Sequence, residues 1–154
     1  MSILYIMVGI PGSGKTSIAR KLFGDALRVS PDDLRLMLTG VPFEIRHERI
    51  VEKVGWAVLE TTLALALAKD FDVLYDATNL RRAKRRSLIN LARACGAVPV
   101  AVYVSCDLET ALARNGERPR PVPAGIVRRM FAGMEEPSVN EGFQQVIEVE
   151  CAGT

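Results

Sequence analysis

Apolar residues along the chain fall in short solid runs, separated by stretches where they recur every three or four positions. The runs predict strands and the recurrences predict helices. Ile3-Leu4-Tyr5-Ile6-Met7-Val8 is an apolar run of strand length, and Leu27-Arg28-Val29-Ser30 a short second one. Asp72-Val73-Leu74-Tyr75-Asp76 is a third, Val98 to Val104 a fourth that is nearly all apolar, and Gln145 to Glu150 the last. Between them, Ser17 to Phe23 has helical spacing and stops at Gly24. Ser30-Pro31-Asp32-Asp33 reads as a helix start, with Ser30 as N-cap, Pro31 at the first position and Asp33 placed for a capping box; that helix ends near Gly40. Val41-Pro42-Phe43 is a loop, followed by a long helix from about Glu44 to Lys69 with Val51, Val54, Val58 and Leu65 on one face. A helix from about Arg82 to Cys95 turns Leu88, Leu91, Ala92 and Cys95 inward and is stopped by Gly96. Another from about Asp107 to Asn115 carries Leu108, Ala111 and Leu112 inward. Pro119 and Pro121 break the chain there, and Pro123 opens a helix to about Met134.

Strands alternating with helices imply an α/β fold, here a five-stranded parallel sheet covered by helices on both sides. In such sheets ligands bind beyond the carboxyl ends of the strands. Directly after the first strand stands Gly9-Ile10-Pro11-Gly12-Ser13-Gly14-Lys15-Thr16, the pattern G-x-x-x-x-G-K-[ST]. Strand, glycine-rich loop and helix are the setting in which that pattern forms a P-loop. The glycines allow a backbone turn tight enough for successive N–H groups to face a phosphate. Lys15 supplies a compact positive charge, Thr16 a hydroxyl for Mg²⁺, and the helix its positive dipole end.

A length of 154 residues, with 49% hydrophobic and 25% charged, fits a single domain with a sizeable core over residues 1–154, with a short arginine-rich lid at about 114–123. The net charge of +2 indicates no partner by itself, but its placement is uneven. Arg81, Arg82, Lys84, Arg85, Arg86 and Arg93 crowd one segment, and no basic residue follows Arg129. Cys95, Cys106 and Cys151 have no metal-ligand spacing and read as reduced thiols of a cytoplasmic protein. With His47 the only histidine, any metal site is oxygen-based. Met1-Ser2 leads straight into the first strand, so no signal peptide is expected. The stretch Val54 to Ala68 is too short to span a bilayer, and no obligate protein partner is evident.

Four groups carry candidate chemistry. Asp32 lies in a helix first turn with Arg35 three residues on, so a carboxylate and a guanidinium share a face; this suits activation of an acceptor hydroxyl by Asp32 while Arg35 clamps the acceptor. Asp33 has a sufficient explanation as the capping residue. Asp76 ends an apolar strand, where P-loop proteins commonly place an acid that helps hold Mg²⁺, and Thr78 and Asn79 offer polar groups beside it. Basic residues at a helix start oppose its dipole, so Arg81, Arg82, Lys84, Arg85 and Arg86 point to an anionic polymer contacted through its backbone. Arg114 and Arg118, at i and i+4 before a proline-broken loop, are placed to close on a γ-phosphate.

With these residues in view, nearly the whole chain resembles the kinase domain of the phage-type polynucleotide 5′-hydroxyl kinases and their small ATP-binding relatives of AAA type. The P-loop with its Pro-Gly-Ser-Gly core, Asp32-Asp33-Leu34-Arg35, Thr78-Asn79-Leu80, and Arg114-Asn115 with Arg118 and Val122-Pro123 carry the likeness. The resemblance implies ATP and Mg²⁺ as cofactors, Asp32 as general base, Arg35 on the acceptor side, and Arg114 and Arg118 as lid arginines. Residue reading and resemblance together give Lys15, Asp32, Arg35 and Arg118 for catalysis, with Gly9, Gly12, Ser13, Gly14, Lys15, Thr16, Arg114 and Arg118 around ATP. Thr16 and Asp76 are expected to serve the metal, and Arg35, Thr78, Asn79, Arg81, Arg82 and Arg85 the acceptor. Two departures stand out: Pro119 and Pro121 stiffen a shorter lid, and Asp70-Phe71-Asp72 lacks the Gly-Thr of the phage phosphatase signature, so the chain is expected only to phosphorylate. The expected acceptor is a nucleic-acid 5′-hydroxyl. A small-molecule hydroxyl is the alternative within enzymes, and a nucleotide-binding regulator with slow ATP hydrolysis the alternative outside them.

Overall fold

Ile3–Val8 (β1) is the most apolar stretch, and Leu4, Ile6, Met7 and Val8 are wholly buried. A strand with no solvated face needs neighbours on both sides, and β1 takes the centre of the sheet. In the computed structural model, which describes residues 1–41 and 45–151, the remaining strands are Leu27–Val29 (β2), Val73–Tyr75 (β3), Val98–Ser105 (β4) and Gln145–Glu150 (β5). Their order is β2-β3-β1-β4-β5 and every pairing is parallel. The register sets Leu4 beside Val73 on one side and Pro99 on the other.

Helices cover the sheet: Lys15–Leu22 (α1), Pro31–Thr39 (α2), Ile45–Leu67 (α3), Arg82–Cys95 (α4), Leu108–Gly116 (α5) and Ala124–Gly133 (α6). The larger core packs α3 and α4 against β1, β3 and β4 through Leu59, Leu63, Leu88, Ile89 and Tyr103. On the other face α1 lays Ala19 on Met7, Leu74 and Val102. A third cluster, Ile10, Leu80, Ala111 and Val127, joins the glycine-rich loop to α5 and α6. No helix among the described residues is long and apolar enough to cross a membrane.

The expected strands and helices are found within one or two residues of their predicted bounds. The predicted loop at Pro42 and Phe43, and the helix start at Glu44, lie outside the described residues. The buried stripe of α3 differs from the expected one. It runs through Val51, Gly55, Leu59, Leu63 and Ala66, with Leu65 67% exposed. The buried line along the helix passes through Gly55, where a Cβ would meet Leu34 of α2 only at an ordinary contact distance of 3.9 Å; a reading weighted by apolar bulk skips it.

Two further expectations are corrected. Asp33 makes only half of a capping box: Ser30 Oγ accepts its N–H at 3.2 Å, but its carboxylate pairs with Arg28 at 2.6 Å. A charge-assisted bond outcompetes the reciprocal one to the backbone. Cys106 and Cys151 form a disulfide, their Cα atoms 5.2 Å apart, and only Cys95 is a free thiol. The cause is register: Ser105 of β4 sits beside Glu150 of β5, so the next residue of each strand is also a neighbour.

Candidate active site

The loop from Gly9 to Thr16 turns through Gly12 and Gly14, with φ of 84° and 92°, a region costly to any residue with a Cβ. A Cβ on Gly12 would also collide with the Ala111 carbonyl oxygen of α5, and one on Gly9 would lie 3.1 Å from the Val104 oxygen of β4. Gly14 is the N-cap of α1, so no side chain caps the first-turn N–H groups, and that turn holds no acid. Open donors at a positive dipole end form an anion site. Ser13 Oγ, buried within the loop, has no partner.

Lys15 bends back over the loop and donates to the Ile10 carbonyl at 3.1 Å. Burial brings its ammonium down to about 8. Asp76 and Asp32 pull the other way, and Arg118 lowers it further. A carboxylate at the end of β3, another in the first turn of α2 and a guanidinium from the loop after α5 therefore all act on one ammonium. Arg114 stands over the N-terminus of α1, its Nη1 3.6 Å from where a Gly14 Cβ would be. Arg118 is exposed, and the loop carrying it is pinned at its base by Asn115, which donates to the Val122 carbonyl at 2.6 Å and accepts the Val122 N–H at 3.1 Å.

Beneath Lys15, Thr16 Oγ1 donates to Asp76 Oδ2 at 2.9 Å. Asp76 is only 4% exposed, and Arg28 donates to the same oxygen through Nε at 2.9 Å and Nη2 at 2.8 Å. Arg28 thus joins Asp76 to Asp33 and fixes the start of α2 to the end of β3. The sequence reading missed Arg28; its signal was a charge in the middle of an otherwise apolar strand.

Asp32 extends into solvent from α2 and pairs with Arg35 at 2.5 Å. Arg35 turns its fork to Glu48 of α3, with Nε to Oε2 at 3.0 Å and Nη2 to Oε1 at 2.6 Å. Glu48 was also missed, since nothing along the chain pairs positions 35 and 48. Beside this network opens a cleft of about 680 Å³, bounded by α2, α3, β3, α4 and α6. Arg35, Glu48, Thr78, Asn79 and Arg81 all line it.

The β3 exit loop also serves the P-loop. Thr78 accepts the Gly9 N–H through its carbonyl at 3.0 Å. Asn79, buried with φ 46°, donates to the Met7 carbonyl at 2.7 Å. Arg81 and Arg82 are exposed, and Arg81 lies 3.9 Å from Glu135. Arg85 is corrected. It is wholly buried, paired with Glu141 at 2.8 and 3.0 Å and donating to the Asn79 carbonyl at 2.9 Å. At its place on α4 the inward face also carries Leu88, Ile89 and Ala92, so its helical phase points it away from any solvent-borne polymer.

Residues 4–137 match the AAA domain family (AAA_33). The chain is 27% identical over 141 residues to the L-seryl-tRNA(Sec) kinase of Methanococcus maripaludis; the match takes in 88% of this chain and 53% of that protein, about half its length. Among solved structures, one in the Pnkp1/Rnl/Hen1 RNA repair complex superposes on 86% of this chain and 43% of its own, with a TM-score of 0.71 and 22% identity. A gluconokinase from Sinorhizobium meliloti superposes on 99% of this chain and 84% of its own, with a TM-score of 0.59 and 19% identity. Family match, central P-loop strand and sheet order agree: the chain belongs to the AAA domain family and has the fold of the P-loop kinases.

Proposed function

We propose that the chain is an ATP-dependent phosphotransferase acting on a hydroxyl, and that the hydroxyl is the 5′ end of a polynucleotide. The observation that carries the reading is the anion site at the start of α1, where uncapped loop N–H groups, Lys15 and Arg114 gather beside the Thr16–Asp76 pair. The loop N–H groups and Lys15 hold the phosphates, and Arg114 and Arg118 close over them. Thr16 and Asp76 fit Mg²⁺, since a hydroxyl and a buried carboxylate 2.9 Å apart are the hard oxygen donors it takes. When bound, the ion neutralises charge on the phosphates. Asp32 takes the proton of the acceptor hydroxyl as its oxygen bonds to phosphorus and ADP leaves. Arg35, held by Glu48, orients Asp32 and borders the cleft where the acceptor lies.

Exposed Arg81 and Lys84 in the cleft lining, with Arg82 and Arg86 also exposed on α4, support a nucleic-acid acceptor, as do the names of two of the relatives above. A small-molecule acceptor is favoured by a different observation: the cleft also holds the exposed carboxylate of Glu52, which repels a phosphodiester chain. The two separate in transfer of labelled γ-phosphate to 5′-hydroxyl oligonucleotides and small alcohols. For an oligonucleotide, log K should fall with log salt by about 0.7 per contact, and replacing Arg82 and Arg86 with glutamine should flatten that slope. An unchanged slope and unchanged oligonucleotide KM would put the small-molecule reading ahead.

A further inference from the structure

The cleft is lined by charges of both signs. On α3, Glu48 and Glu52 stand one turn apart; Glu48 is committed to Arg35. Glu52 is exposed, and among the described residues it forms no ion pair or hydrogen bond. Tyr75, at the end of β3, lies between them and completes this side; burial raises its hydroxyl, and Glu52 raises it further. The same cleft is lined by Lys84 of α4 and Arg129 of α6, both exposed and without an ion pair among the described residues. The Lys84 ammonium is parked 5.9 Å above the ring of Trp56, which follows Glu52 by one turn of α3. Trp56 thus steadies the cation without consuming its charge.

Exposed charges are content in water, so they impose no ligand by themselves, but they set what the cleft can recognise. A carboxylate accepts hydrogen bonds only; ammonium and guanidinium only donate. A ligand that uses all three groups therefore offers a donor to Glu52 and acceptors, or negative charge, to Lys84 and Arg129. A bare phosphodiester run meets the second demand and fails the first.

We propose that this cleft selects an acceptor with two polar ends: a donor-bearing group, a second hydroxyl or an ammonium, held by Glu52, and an anionic group, a phosphate or carboxylate, held by Lys84 and Arg129. The inference rests on the reading that the acceptor occupies this cleft, and it names Glu52 as the residue that sets its class. A plain alcohol is a poor acceptor on this account; a polyhydroxylated acid, a sugar phosphate, or a nucleotide 5′ end whose base or sugar supplies the donor and whose 3′-phosphate supplies the charge is a good one.

The test is a steady-state panel on the whole chain with ATP, using D-gluconate, ribose 3-phosphate, L-serine methyl ester and glycerol as acceptors. Wild type should rank the two acids above glycerol. Glu52→Gln should raise KM for gluconate and ribose 3-phosphate about tenfold or more, as expected for losing a hydrogen bond to a charged group. The KM for ATP should not move. Lys84→Met should raise KM for the two anionic acceptors and leave serine methyl ester and glycerol unchanged. The ester separates the donor sources: if Glu52→Gln penalises it most, the donor is an ammonium, and if it penalises gluconate most, a hydroxyl. Equal KM for charged and neutral acceptors in wild type, or no acceptor-specific effect of either variant, overturns the proposal while leaving phosphotransfer intact. If no hydroxyl is phosphorylated at all while ATP still binds, the phosphotransferase reading falls and the acceptor class with it.

Discussion

Lys15 shows how one side chain couples the site to pH. Its native ammonium titrates at about 8 because it is buried, whereas an unfolded lysine titrates at 10.5. Between those values the unfolded chain binds more protons, so lysine titration makes the fold more stable as pH rises across that window. Phosphate binding runs the opposite way, because only the charged form attracts it. ATP affinity measured by calorimetry should therefore fall as pH is raised through 8, and Lys15→Met, already weakened, should lack that fall. A wild-type affinity flat from pH 7 to 9.5 would place the ammonium elsewhere than on the phosphates. Asp32→Asn makes the complementary change. It should lower kcat about 10²- to 10⁴-fold with ATP binding unaltered, the range for a lost general base, and Asp33→Asn should leave kcat near wild type. At this scale the sequence was informative where a residue type and its chain neighbours suffice. Gly12, Lys15 and Thr16 were legible from one motif, and Asp32 with Arg35 from helical spacing. Arg28 and Glu48 were not, because each finds its partner across the fold, 48 residues away for Arg28 and Asp76, and 13 for Arg35 and Glu48.

Among the elements, α4 is where a sound argument reached the wrong residue. Basic groups at a helix start do need an explanation, and for Arg85 the explanation is internal: Glu141, the Asn79 carbonyl and the Glu136 carbonyl satisfy it. Glu141 in turn accepts the Ser138 N–H at 2.8 Å and caps the single 3-10 turn Val139–Glu141. The pair is a rivet between α4, the β3 exit loop and the run before β5. Arg85→Met would leave the Glu141 carboxylate buried without its partner, at a cost of about 3–5 kcal/mol. The urea midpoint should drop accordingly, whereas Arg86→Gln, one residue on and exposed, should scarcely shift it. Equal midpoints for the two would show that the rivet contributes nothing net. The strands, by contrast, were legible because a parallel sheet buries them whole. For α3 the period was right and the phase was not, since Gly55 takes a place that apolar counting gives to Val54.

For the molecule as a whole, the disulfide closes a loop of 45 residues from the end of β4 to the end of β5. In the chain-entropy account such a loop is worth about 4 kcal/mol against the unfolded state. Reduced wild type and Cys151→Ser should then unfold at the same lowered midpoint, and Cys95→Ser should match the oxidised wild type. A reduced protein as stable as the oxidised one would mean the bridge adds no constraint. The pairing was invisible in the sequence because it depends on which strands are neighbours, and five parallel strands allow many orders.

That order has a consequence for how the molecule comes into being. Of the five strands the central one emerges before the others, yet its two partners begin at Val73 and Val98, and the glycine-rich turn behind it is packed against Ala111. At the usual pace of about 5–20 residues per second, roughly 5–20 seconds separate the emergence of Gly12 from that of the helix it rests on. Until β3 emerges at Val73, a run of six apolar residues has no edge to join. The nascent chain is therefore sticky before it can bind a nucleotide, and a ribosome-stalled chain ending before β4 should be held by chaperones rather than by ATP.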